Sequence, residues 1–121
     1  MLYAILCYNS EKEVGAWTKA QDEAVMGRLH AVQEPLKASR RLGPVARLMP
    51  TTAAITLKKD REPFVVVDGP FAETKEQLLG FYVVECETQE DALQVAQDLG
   101  SANPGGSYEI RPLAKYIPSS L

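Results

Sequence analysis

Apolar positions fall into two rhythms along this chain, one of period two and one of period 3.6, and each rhythm names an element. Residues 2–8 read as a first strand. Leu2, Ala4 and Leu6 fall on one face and Tyr3, Ile5 and Cys7 on the other. A strand with one solvated face alternates apolar with polar residues. Here both faces are apolar or aromatic, so the strand is expected to be covered on both sides. Between residues 11 and 41 the spacing lengthens. Val14, Trp17, Gln21, Val25, Leu29, Val32 and Leu36 form one helical stripe. Asn9 or Ser10 is placed to cap its start, and Pro35 predicts a kink or a break. Gly43-Pro44 ends it.

The pattern then returns to period two. Residues 44–49 and 52–59 read as strands around Pro50-Thr51, and Lys59-Asp60-Arg61-Glu62 as a turn. Phe64 to Val67 is a short β-branched run, and Phe81 to Glu87 a further strand. A second helix spans 88–99, with Thr88 and Asp91 at capping-box spacing and Gly100 as its stop. A last strand runs from Tyr108 to Tyr116, with Pro112 confining it to an edge or a bulge. The order is β-α-β-β-(hairpin)-β-α-β in a single domain over residues 1–121. That is an α+β, ferredoxin-like βαββαβ pattern with an extra β-hairpin, an antiparallel sheet and helices on one face. The apolar second face of the first strand implies a cover for the bare side. A second sheet from an identical chain is the simplest one, so a homodimer is expected.

A net charge of −3 with mixed signs gives neither a basic footprint for nucleic acid nor a polybasic patch for a membrane. No apolar run approaches the ~20 residues of a membrane helix, and the opening strand lacks the flanks of a signal peptide. Cys7 and Cys86 sit in apolar runs, which fits reduced, buried thiols in a cytoplasmic protein. No Cys/His cluster, Gly-rich phosphate cradle or Ser/His/Asp arrangement is present, so no metal or cofactor is expected.

Candidate chemistry concentrates in Asp68 to Glu85, where a Gly-Pro turn and a charged loop lead into an apolar strand. Asp68 precedes Gly69-Pro70. One reading is structural, an Asx-turn that fixes the loop. The other is a carboxylate aimed into a cleft, desolvated by Phe71, Phe81 and Tyr82 and suited to general acid–base work. Glu73, Lys75 and Glu76 form either a solvated loop or a place where Lys75 meets a carboxylate or an anionic ligand. Arg111 lies between Ile110 and Pro112, where a covered arginine needs a partner. It either pairs with Glu85 or Asp68, or holds a substrate carboxylate or phosphate. Tyr3, Tyr82 and Tyr108 are candidates to line the same cleft. The lone histidine, His30, falls opposite the helical stripe and should face solvent.

The run DGPFAETKE followed by LGFYVVE resembles the DGPF branch of the YCII-related proteins. The resemblance extends over almost the whole chain, from LYAILCY through TQEDALQVA to EIRPL. It implies a dimeric α/β barrel, two ferredoxin-like subunits packed sheet to sheet with a cleft in each. Two departures stand out. The family pattern reads EQLGGFY, and Leu79 replaces the first glycine. The wider group's proposed His–Asp pair has no counterpart here. The resemblance suggests cofactor-free isomerase, lyase or oxygenase-like chemistry on a small metabolite. Asp68 and Arg111 would be its catalytic residues, and Tyr3, Gly69, Pro70, Phe71, Glu73, Lys75, Phe81 and Tyr82 would bind the substrate. The alternatives are a non-catalytic ligand-binding or regulatory module associated with a sigma factor, and a structural dimer built on the DGPF loop.

Overall fold

Four strands form one antiparallel sheet in the order β2-β5-β1-β6, in a computed structural model that describes residues 1–121. The strands are β1 (Leu2–Asn9), β2 (Leu42–Arg47), β5 (Gln77–Glu85) and β6 (Ser107–Pro112). A separate two-stranded sheet pairs β3 (Ile55–Lys58) with β4 (Val65–Asp68). Three helices complete the chain: α1 (Glu11–Gly15), α2 (Lys19–Ala38) and α3 (Gln89–Ala102). The result is a mixed α+β architecture whose strand order is compatible with the ferredoxin-like pattern, with the expected hairpin inserted between β2 and β5.

The two faces of β1 separate as the alternation requires. Tyr3 and Ile5 point to the helices and join Tyr82, Val84 and Cys86 of the β5 segment in the core. Val25, Leu29 and Leu36 of α2 and Ala92, Val95, Ala96 and Leu99 of α3 close that core from above. Ile5, Val84 and Leu99 are fully enclosed, each stabilising the fold by about 1.5–3 kcal/mol through apolar burial. The other face of β1, Leu2, Ala4 and Leu6, has no helix over it and stays half-exposed. β6 pairs only with β1 and ends at Pro112, which places that proline on an edge strand.

The first helical stretch breaks earlier than Pro35 predicts. α1 stops at Gly15, and α2 begins behind Thr18 with a reciprocal capping box: Gln21 N–H donates to the Thr18 hydroxyl, and the Gln21 side chain accepts from Thr18 N–H. Ser10 caps α1, its hydroxyl accepting from Glu13 N–H. α2 then runs through Pro35 to Ala38. One turn remains after the proline. Buried Leu36 anchors that turn, and Pro35 O accepts from both the backbone N–H and the hydroxyl of Ser39. The predicted strand 52–59 likewise shortens. A 3-10 turn at Thr51–Ala53 occupies its beginning, and β3 is left with Ile55–Lys58. Thr88 caps α3 by accepting from Asp91 N–H, without the reciprocal bond of a full capping box, and the helix runs through Gly100, the expected stop, to Ala102.

One irregularity shapes the sheet. Cys7 faces Gly80 across the ladder, but Tyr8 faces Leu78, so Leu79 is an extra residue in a β-bulge. It keeps an ordinary backbone conformation, since Arg40 alone among non-glycine residues has positive φ. The leucine that replaces the family's glycine is therefore accommodated without left-handed backbone.

Candidate functional site

A cavity of about 120 Å³ opens on the helix side of the sheet, between α1–α2 and the strands β2, β5 and β1. Gly80 sits between Cys7 of β1 and Arg47 of β2 in the ladder, on the helix-facing side. Only glycine lets the β2 and β5 backbones approach so closely there. A Cβ would collide with the Ala46 carbonyl oxygen and come within 3.3 Å of the Arg47 backbone. Val25, Met26 and Leu29 of α2, Val14 of α1 and Trp17 at the helix break supply the apolar walls.

The polar groups converge from three neighbouring strands: Cys7, Tyr82 and Tyr108. Asn103 Nδ2 donates to Tyr108 Oη at 3.0 Å, which uses an acceptor position of that hydroxyl and leaves its proton to the Cys7 side. Burial pushes the Cys7 thiol up to about 11, partly offset by the Tyr108 hydroxyl beside it. Burial also raises Tyr108, against the opposing hydrogen bond from Asn103. Tyr82 is raised by burial and by the neighbouring Cys7, with Gln33 acting the other way. All three groups therefore stay protonated and neutral at physiological pH. Cys7 is consequently a weak donor rather than a thiolate nucleophile. At the mouth, Arg47 Nη1 meets Asp22 Oδ1 at 3.3 Å.

The residues expected at the site divide between this cavity and the opposite regions of the molecule. Tyr82, Phe81 and Tyr108 line the cavity, while Tyr3 is buried in the core away from it. Asp68 ends β4 opposite Ile55, is exposed, and makes no hydrogen bond or ion pair. Its expected desolvation by Phe71, Phe81 and Tyr82 is not formed within the chain, where Phe71 itself is 85% exposed. Its carboxylate forms no Asx-turn either. Gly69, at φ +95°, fixes the turn instead: its N–H donates to Ala54 O at 2.7 Å, and its carbonyl accepts from the Thr56 hydroxyl at 2.7 Å. Gly69, Pro70 and Glu73 border a second depression, with Thr51, Thr74 and Gln77. Lys75 is exposed and unpaired. Arg111 lies exposed on β6 opposite Ala4, paired neither with Asp68 nor with Glu85. His30 faces solvent.

The charged loop is nevertheless tied to the body. Glu11 N–H donates to Gln77 Oε1 at 2.9 Å, and the Glu11 carboxylate accepts from Thr51 N–H at 3.0 Å. Gln77 Nε2 donates to Thr74 O at 2.6 Å, and the Thr74 hydroxyl donates to Glu76 O. The end of the motif thus links the hairpin arm, the start of α1 and β5. Cys7 and Cys86 are free thiols, although β1 and β5 are adjacent. Cys7 lies opposite Gly80, whereas Cys86 bonds back to Met1 at the other end of β1. No group of three His, Cys, Asp or Glu side chains is placed to hold a metal ion, and no helix is long and apolar enough to cross a membrane.

A four-stranded antiparallel sheet with helices and a cavity on one face defines a small α+β domain with an internal pocket. The family model for the YCII-related domain matches residues 1–117. An uncharacterized protein of Rhizobium meliloti (strain 1021) is 57% identical over 122 residues, covering 100% of this chain and 98% of that protein. The chain belongs to the YCII-related family.

Proposed function

We propose that this YCII-related protein binds a small metabolite in the helix-side cavity and acts on it as a cofactor-free enzyme of the isomerase or lyase type. The observation that carries this reading is the convergence of Cys7, Tyr82 and Tyr108 on one largely apolar cavity. Neutral donors held in a desolvated pocket stabilise negative charge as it develops on a substrate oxygen. Asp68 lies outside that cavity, on the exposed arm. Arg111 likewise lies outside it, beside Ala4 on the open sheet face, so a proton-transfer role for this pair belongs to a separate cleft, formed in an assembly where a second chain covers the arm and that face.

That assembly is a homodimer. Ile55 (71% exposed) and Val66 (62% exposed) share one face of the β3–β4 arm, and Val65 and Val67 share the other. An isolated two-stranded hairpin is marginal in water, so apolar groups on both its faces call for a partner. The alternative reading is a non-catalytic ligand-binding or regulatory module, associated with a sigma factor, that uses the same cavity.

A metabolite panel screened by thermal shift on wild type, Asp68→Asn and Tyr108→Phe, followed by turnover assays on the hits, tests the proposal. Turnover by wild type that falls in Tyr108→Phe with binding kept supports the cavity as the catalytic site. Turnover unchanged in Asp68→Asn removes that carboxylate from the mechanism. Binding without turnover in any of the three proteins favours the regulatory module.

A further inference from the structure

We propose that the cavity selects an uncharged ligand whose carbonyl-type oxygen accepts hydrogen bonds from Tyr82 and Tyr108, and that it rejects carboxylates and ammonium-type cations of the same shape. This rests on the cavity being a small-molecule site, as argued above, and adds the chemical class it takes.

The inference follows from where the donors and the charges lie. Tyr108 Oη already accepts from Asn103, and its proton faces only the weakly accepting Cys7 sulfur, from which a carbonyl oxygen in the cavity can take it over. Tyr82 is 7% exposed, and it lines the same space from β5, on the other side of β1. Neither side chain carries charge at physiological pH, and neither does the Cys7 thiol between them. The only ionic groups in the lining are Asp22 and Arg47, and they neutralise each other at the mouth. An anion brought to the tyrosines would leave water for neutral donors and gain no countercharge. A cation would meet no carboxylate free to pair with it. Burying an uncompensated charge costs far more than a neutral hydrogen bond returns. A neutral oxygen acceptor on a compact apolar body loses little solvation and matches both hydroxyls.

The test uses three molecules of nearly one shape and different charge: benzamide, benzoate and benzamidinium. Each is titrated into the full-length protein, and the backbone amide signals of Gly80, Tyr82 and Asn103 are followed by NMR. The expected result is that benzamide shifts these signals with an affinity at least about tenfold above either ion, since ~1.4 kcal/mol of charge burial already gives that factor. Tyr108→Phe and Tyr82→Phe should each weaken benzamide by roughly 3- to 10-fold, in line with one neutral hydrogen bond. Benzoate or benzamidinium binding as tightly as benzamide at these amides overturns the charge selectivity while leaving a small-molecule cavity in place. Benzamide affinity unchanged in both phenylalanine variants overturns the roles of the tyrosines. If none of the three ligands moves these amides at millimolar concentration, the small-molecule reading of the cavity falls with the proposal.

Discussion

The side-chain amide of Asn103, just beyond α3, donates to the phenolic oxygen of Tyr108 on β6 across 3.0 Å. This one bond ties the helix end to the edge strand and orients a hydroxyl at the cavity. In Tyr108→Phe the half-buried Asn103 amide loses its acceptor. The expected cost is ~1–2 kcal/mol, within the range for a group left unpaired. A double-mutant cycle with Asn103→Ala, read by urea denaturation, should return a coupling of about 0.5–1.5 kcal/mol. Additive effects would show that the bond carries no net energy.

Gly80 should tolerate no side chain. A Cβ there runs into the Ala46 carbonyl oxygen, which belongs to the backbone of the neighbouring strand and cannot swing aside. Gly80→Ala is expected to lower stability by ~1–3 kcal/mol, the range of overpacked substitutions. Gly15→Ala, where nothing lies within 4 Å, is the control. Equal denaturation midpoints for the two variants would contradict the tight β2–β5 contact.

The thiol of Cys7 implies an alkaline limit to stability. Its pKa rises from an ordinary 9.0 to about 11 in the folded chain, chiefly through burial. The unfolded chain therefore releases the proton first. Stability from this group is complete below about pH 9 and declines as the pH climbs towards 11. Tyr82 and Tyr108, also raised, add to the decline at still higher pH. Urea midpoints measured from pH 8 to 11 should fall more steeply in wild type than in Cys7→Ala. Parallel curves would mean that the thiol is not desolvated.

The β3–β4 arm predicts the assembly. Wild type should elute as a dimer at micromolar concentration. Ile55→Lys combined with Val66→Glu should give a monomer with an unchanged helical circular dichroism signal, because the core of Ile5, Val84 and Leu99 does not involve the arm. A monomeric wild type would refute the covered open face.

Much of the fold could be read along the chain because its signals are local. The period-two and period-3.6 runs locate β1, α2, α3 and the arm, and the caps at Ser10 and Thr88 act where their residue types place them. The break before α2 was also local and was missed. Thr18 and Gln21 stand at capping-box spacing, and that signal outranks Pro35, which falls so near the helix end that only one turn lies beyond it. The cavity was legible only in part. Tyr82 and Tyr108 could be grouped as candidates from their strand positions. Their grouping with Cys7 around one cavity depends on how β5 and β6 are registered against β1, a register that one sequence does not display. Asp68 drew attention because charged motifs stand out, yet the groups that converge in the folded chain are neutral and scattered from residue 7 to residue 108.

The bulge at Leu79 gives β5 one residue more than its partner needs. Every other position in that strand keeps inside and outside in phase, so a deletion there would turn the remaining side chains over. Removing Leu79 would instead leave Leu78 opposite Tyr8 and Gly80 opposite Cys7 in an unbroken ladder. The strand thus holds a single site at which it can change length and keep its faces, at the loss of the bond from Leu48 N–H to Leu79 O.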